Sequence, residues 1–253
     1  MNITGSTIVI TGAARGLGRA MALALADKGA SLALIDLDAD AAESTARDCQ
    51  SRGGQATAFT ANIASEADVV EVFAAIKERF GGIHGLINNA GILRDGLLVK
   101  ARDGNVIKRM SLDEWQSVID VNLTGVFLCG REAATHMIEG GQGGVIINIS
   151  SISRAGNAGQ SNYSAAKAAV AALSVTWAKE LARFGIRSAS ISPGFTDTEM
   201  VASMKPEARQ RIETMVPLGR LARPDEMAST AVFIFENDYV SGRSFDIDGG
   251  LRL

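Results

Sequence analysis

Short aliphatic and β-branched runs alternate along this chain with longer stretches in which apolar residues recur every three to four positions. Thr7 to Thr11 is one such run, bounded by glycine and too short for a buried helix. Ser31 to Ile35, Gln55 to Thr60, Gly85 to Asn88, Val145 to Ser150 and Arg187 to Ser192 read as further strands. Helical periodicity lies between them: after the first glycine-rich turn, at Ala39 to Arg52, at Glu66 to Phe80, in two pieces within Ser111 to Met137, and at Asn162 to Phe184. The alternation runs without linkers or repeats, which predicts one α/β domain over residues 1–253, a doubly wound parallel sheet flanked by helices. Two segments break the pattern. In VKARDGNVIKRM, Asp103-Gly104 between short runs predicts a two-residue hairpin turn. Glu199 to Pro217 is polar and methionine-rich and departs from strand–helix alternation.

Candidate chemistry begins where the first strand ends. Gly12, Gly16 and Gly18 follow it in the spacing TGxxxGxG and lead into a helix. Glycines there let backbone amides approach a pyrophosphate at the positive end of that helix, so the segment reads as a dinucleotide-binding element. The second strand ends in Asp36, whose carboxylate suits the ribose hydroxyls of an adenosine and repels a 2′-phosphate. Arg15 points the other way, towards a phosphate. The acidic run Asp36-Leu37-Asp38-Ala39-Asp40, with no cation after the strand, outweighs it, and NAD(H) is expected over NADP(H). Further along, Tyr163 and Lys167 are four apart on a helix and share a face. A tyrosine titrates at about 10, and a neighbouring cation is expected to bring it down towards use as a general acid or base.

Composition narrows the class. A net charge of −3 gives no basic surface for nucleic acid. With two cysteines, Cys49 and Cys129, and two histidines, neither a disulfide framework nor a metal cluster is indicated. No apolar stretch is long enough to span a bilayer and no leader precedes the first strand, so a cytoplasmic, reducing location is expected.

The motifs TGAARGLG, NNAG at Asn88 to Gly91, Asn122 in DVNLTGVF, the serines after GVIINI, YSAAK, and SPG at Ser192 to Gly194 occur in order along essentially the whole chain. Together they resemble the short-chain dehydrogenase/reductase family, and within it the 3-oxoacyl-carrier-protein reductases and related carbonyl reductases. The resemblance implies a Rossmann-type sheet of seven parallel strands in the order 3-2-1-4-5-6-7 and a substrate lid at 195–217; the hairpin, at 94–110, is an insertion relative to that family. It implies ketone–alcohol interconversion, with Tyr163 passing the proton, Lys167 lowering the Tyr163 pKa and holding the nicotinamide ribose, and Asn122 holding a water relay. The substrate carbonyl would be held by a serine. Counting thirteen residues back from the tyrosine points to Ser150, whereas the strand register of GVIINISS points to Ser151, and the register is preferred because a one-residue slip reverses a side chain.

By the same resemblance Leu17 joins the glycine loop and Leu37 joins Asp36. Asn62 and Ile63 contact adenine, and Asn89, Ala90 and Gly91 line the cofactor trough. Pro193, Gly194, Thr196 and Thr198 lie at the carboxamide end. The expected substrate is a ketone or secondary alcohol, with 3-oxoacyl thioesters such as acyl-CoA favoured. The basic residues Lys100, Arg102, Lys108 and Arg109 of the insert suit an anionic substrate. Glu139 to Gly144, where carrier-protein reductases tend to be basic, carries no cation. A sugar, polyol or cyclic-alcohol dehydrogenase is the alternative within enzymes, and a non-catalytic NAD-binding redox sensor the alternative outside them. Assembly as a homotetramer is also implied.

Overall fold

β1 (Thr7–Thr11) pairs in parallel with β2 (Ser31–Asp36) on one side and with β4 (Gly85–Asn88) on the other. The computed structural model describes residues 1–199 and 206–253. β3 (Gln55–Thr60) closes one edge of the sheet, and β7 (Gly144–Ile149), β8 (Ile186–Pro193) and β9 (Ser244–Ile247) extend the other. The result is a seven-stranded sheet in the order β3-β2-β1-β4-β7-β8-β9, parallel throughout. The chain winds outward from β1 to β3 and then jumps back across β1 to β4. That reversal opens a crevice at the carboxyl ends of β1 and β4, where ligands of open α/β sheets bind.

Alternation along each strand divides the core. Ile8 and Ile10 with Leu32 and Leu34 meet α1 (Gly16–Ala26) through Met21 and Leu25, and α8 (Pro224–Glu236) through Met227, Ala231 and Phe235. Val9, Ala33 and Leu86 face the opposite way. They pack with Phe73 and Ile76 of α3 (Glu66–Phe80), Cys129 and Met137 of α5 (Gly125–Gly140), and Val170 and Trp177 of α6 (Ser161–Glu180). Because both faces are covered, the strands are continuously apolar.

The helices begin where the sequence supplies a cap. Asp38 accepts from Ala41 N at the start of α2 (Ala39–Ser51), and Ser111 with Glu114 forms a capping box on α4 (Leu112–Ile119). Between α4 and α5 the chain takes a π turn, Asp120–Thr124, in which the Gly125 N–H reaches back five residues to Asp120 O. The two pieces expected within Ser111 to Met137 are thus one nearly continuous rod with a wide turn at Asn122.

β5 (Val99–Arg102) and β6 (Asn105–Arg109) form a separate antiparallel hairpin with Arg102 opposite Asn105. Asp103 and Gly104 make its turn, both at positive φ (51° and 77°), as a type I′ connection requires. The expected long helix ends earlier than its sequence pattern, at Glu180, followed by a 3-10 turn at Ala182–Phe184. The lid expected at 195–217 lies partly outside the described residues; within them it contains α7 (Pro206–Met215). α8 and the exact position of β9 were not legible from periodicity.

Candidate active site

The carboxyl-terminal edge of the sheet gathers the polar residues singled out above. Gly12 follows β1 at φ 64°, and a Cβ on it would lie 2.8 Å from Ala90 Cα; one on Gly18 would lie 2.1 Å from Gly12 O. These two glycines allow β1, α1 and the end of β4 to touch. Asn89 locks the contact: its Nδ2 donates to Thr11 O at 3.1 Å and Gly12 O at 2.9 Å, while Thr11 Oγ1 accepts from Asn89 N and Ala90 N. Gly16 has only Thr198 near its missing side chain, at 3.8 Å, so the space above the start of α1 is open. Arg15 is exposed and Leu17 partly buried.

Asp36 closes the second strand. Its Oδ2 accepts from Ala14 N at 2.9 Å and its Oδ1 from Asp38 N at 3.2 Å, which aims the carboxylate back over the glycine loop. Leu37 beside it is 68% exposed. After β3, Asn62 is exposed and accepts from Ala64 N, whereas Ile63 is buried against Gly125. Gly91 approaches the Asn122 amide. At the end of β8, Pro193 and Gly194 lead to Thr196, whose hydroxyl donates to Gly194 O at 3.3 Å, and Thr198 comes round to Gly16.

The reactive-looking groups lie between these walls. Asn122 is fully buried in the π turn; its amide accepts from Ile92 N at 2.8 Å and donates to Ile92 O at 3.0 Å. Ser150 and Ser151 point to different partners. The Ser150 hydroxyl is buried and donates to Lys167 O at 2.8 Å, whereas the Ser151 Oγ accepts from Ser153 N at 3.1 Å and lies near enough to the Tyr163 phenol to draw its pKa down. Ser150, thirteen residues before the tyrosine, thus faces the α6 backbone, and Ser151, the residue the strand register favours, faces the phenol.

Lys167 is buried on the same face of α6 as Tyr163, its Nζ 5.6 Å from the tyrosine ring centroid. It donates to Ile149 O at 2.7 Å, the only partner of its three N–H bonds among the described residues. Burial pulls its pKa down to about 8. The Tyr163 phenol is shifted upward, chiefly by burial, with Ser151 pulling it down and Asp95 pushing it up. Lys167 is not among the causes of that shift; its ammonium is turned towards the Ile149 carbonyl.

Asn148, Ser174, Asn162 and Asp95 join the site without having been marked by a motif, and Asn88, marked by NNAG, has a second role. Asn88 donates to Asn148 Oδ1 at 2.8 Å, and Asn148 to Ser174 Oγ at 2.9 Å, a buried polar ladder beneath the serines. Asn148 interrupts an otherwise apolar strand, and a polar residue there was the available clue. Asn162 and Asp95 complete the set and are taken up below.

A cavity of about 1170 Å³ runs along the outer sides of α1, α2 and α8 and meets the glycine loop at Ala14, Arg15 and Gly16. It excludes Tyr163, so the site is assigned from its polar groups. Those groups suit a nicotinamide dinucleotide: open space above Gly16 at a helix start, a carboxylate at the end of β2, and a buried ammonium with donors to spare. Among the described residues no helix is long and apolar enough to cross a membrane, and no cluster of three or more His, Cys, Asp or Glu is placed to hold a metal.

A family profile described as enoyl-(acyl carrier protein) reductase matches residues 12–252. The chain belongs to the short-chain dehydrogenase/reductase family. Among its relatives in that family is the 3-oxoacyl-[acyl-carrier-protein] reductase of Thermotoga maritima, 37% identical with all of both chains covered. The protein of that name from Synechocystis is 39% identical over 99% of this chain and 98% of its own. Among solved structures, 3-ketoacyl-(acyl-carrier-protein) reductase from Brucella melitensis, complexed with NADH, superposes with a TM-score of 0.87 at 30% identity over 99% of this chain and 100% of that one. A putative gluconate dehydrogenase from Agrobacterium tumefaciens gives 0.90 at 34% identity, covering 99% and 97%. As a short-chain dehydrogenase/reductase this protein is an oxidoreductase working between carbonyl and alcohol with a nicotinamide cofactor.

Proposed function

We propose that the protein is an NAD(H)-dependent oxidoreductase interconverting a ketone and a secondary alcohol, with 3-oxoacyl thioesters as its substrate class and Tyr163 as the proton donor and acceptor. The observation that carries this reading is the Tyr163 phenol, which shares its helix face with a buried lysine 5.6 Å from its ring and lies beside Ser151. The nicotinamide, when bound, supplies or accepts the hydride. Ser151 would orient the carbonyl oxygen by donating to it. Tyr163 would give that oxygen its proton in reduction and take it back in oxidation. Lys167 would hold positive charge beside the phenol and offer its spare donors to the ribose. Asn122, fixed by Ile92, would keep the proton route to solvent in register.

The preference for NAD(H) rests on Asp36. An ionised carboxylate has about four lone-pair positions. Two accept from Ala14 and Asp38, which leaves acceptors for two ribose hydroxyls and a negative charge against a 2′-phosphate. The thioester class is supported by the names of the full-length relatives. A polyol or sugar acid is the second reading, favoured by the fit to the putative gluconate dehydrogenase.

Homotetramer assembly belongs to the same proposal, supported by exposed Ala165, Ala168, Ala172 and Val175 along α6 and Phe127 and Ile138 on α5; sedimentation velocity tests it. The activity is tested by NADH and NADPH oxidation at matched concentration with acetoacetyl-CoA beside simple ketones and, in the reverse direction, gluconate. Turnover of acetoacetyl-CoA with NADH supports the reading; turnover of gluconate alone moves it to the second.

A further inference from the structure

Helix α6, which carries Tyr163 and Lys167, begins without a capping side chain. Its N-cap residue Gln160 makes no cap bond. Instead the Gln160 amide donates to Asp95 Oδ2 at 2.9 Å and accepts from Asn157 Nδ2 at 2.9 Å. Asn162 takes over the task of satisfying that helix end. It is fully buried, and its Oδ1 accepts from the Tyr163 backbone N–H at 2.8 Å, one of the donors a first helical turn leaves unpaired. Its Nδ2 donates to Arg94 O at 3.1 Å and to Glu114 O at 2.9 Å. Both amide protons are used, so no rotation of this side chain keeps all three bonds.

Arg94 precedes the β5–β6 hairpin and Glu114 follows it. A single amide therefore ties the Tyr163 backbone to both ends of the insert. The root is clasped twice more: Gly96 N donates to Gly159 O at 2.7 Å, and Met110 N to Leu98 O at 3.0 Å. Beyond the root, every residue of both strands is exposed, including Val106 at 61% and Ile107 at 57%. Among the described residues one tie lies outside the root, Lys108 to Glu114 at 2.7 Å. Asp95, in that root, is also the carboxylate that pushes the Tyr163 phenol upward.

We propose that Asn162 is a positioning residue for Tyr163, and that through it the placement of the phenol depends on the β5–β6 hairpin. This rests on the proton-donor reading of Tyr163 for its catalytic consequence, though not for its mechanical one. An exposed arm anchored this way transmits displacement of its root to the first turn of α6, so that whatever the arm touches is felt at the phenol.

The test is a double-mutant cycle between Asn162→Ala and a shortened hairpin in which residues 99–109 are replaced by two glycines. Each change is expected to lower kcat about ten- to a hundredfold with the KM for NADH unchanged, as a small misplacement of a reacting group does. The pair together should lose little more than either alone. Losses that multiply would mean independent effects and overturn the proposal. Asn162→Ala cuts the ties to Arg94 and Glu114 and frees the Tyr163 N–H while Gln160 still holds Asp95, so the phenol moves relative to that carboxylate and the pH limb of alcohol oxidation should shift; a lower rate with an unmoved limb would reduce Asn162 to a structural residue.

Amide hydrogen exchange judges the coupling without activity. Shortening the hairpin should raise exchange in the first turn of α6 when Asn162 is present and leave it unchanged in Asn162→Ala; equal effects in both backgrounds contradict the coupling whatever Tyr163 does. Should Asn162→Ala fail to fold, Asn162→Asp keeps the acceptor for Tyr163 N–H and removes both donors to the insert, and the same exchange comparison applies.

Discussion

The Lys167 ammonium lies 5.6 Å from the centroid of the Tyr163 ring and donates to the Ile149 carbonyl. Helical spacing gives the two side chains one face, but burial sets their energetics. The lysine is pulled down to about 8 and the tyrosine pushed up from 10, each towards its neutral form. At neutral pH the site therefore holds a phenol ready to donate beside a cation kept at a cost.

That cost is visible in stability. The folded pKa of Lys167, about 8, lies below the unfolded value of 10.5, so the unfolded chain binds the extra proton between these values. Stability contributed by this group rises with pH from about 8 to 10.5, and below 8 the full penalty, about 3 kcal/mol, is present. Lys167→Met removes the titration. The difference in unfolding free energy, wild type minus variant, should rise by about 3 kcal/mol between pH 7 and 10.5; a flat difference by chemical denaturation would mean the ammonium is not desolvated.

The adjacent serines separate by partner. Ser151→Ala should lower kcat by about a hundredfold, the size of losing one oriented donor to a developing oxyanion. It should also move the tyrosine limb of alcohol oxidation to higher pH, because the hydroxyl that pulls the phenol down is gone. Ser150→Ala should leave that limb in place and lower stability by about 1 kcal/mol, since Lys167 O loses its hydroxyl donor. Reversed effects would return the role to the residue thirteen before the tyrosine.

Asp36→Ala should weaken NADH and admit NADPH, changing the ratio of their kcat/KM values by about tenfold or more, or ~1.4 kcal/mol. Ala14 N loses its acceptor in the same variant, so Asp36→Asn, which keeps an oxygen there without the charge, separates loop geometry from electrostatics. An unchanged ratio in both variants would remove Asp36 from cofactor selection and leave Arg15 as the deciding group.

The sheet was legible because its strands are buried on both faces and its turns are marked by glycine. Thr7 to Thr11 and Gln55 to Thr60 appear with the bounds their residues suggest, and Ser31 to Ile35 extends by one residue to Asp36. The hairpin followed from Asp103-Gly104 alone, since few other pairs accept positive φ twice. What escaped depends on tertiary contact. Asn162 looks like any polar residue opening a helix; only the approach of Arg94 and Glu114 makes it a clamp. The π turn at Asn122 is tied to the Ile92 backbone, a tertiary contact that no local propensity encodes. The direction of the Tyr163 shift also depended on burial, which spacing cannot reveal.

The most direct measurement compares Tyr163→Phe with the wild type in single-turnover NADH oxidation on acetoacetyl-CoA, with NADH affinity followed in parallel by its fluorescence. The phenyl ring fills the same space without the proton. Turnover should fall by about a hundred- to ten-thousandfold with NADH affinity within a few-fold of wild type. Turnover retained at the wild-type rate would contradict the assignment of Tyr163 as the proton donor.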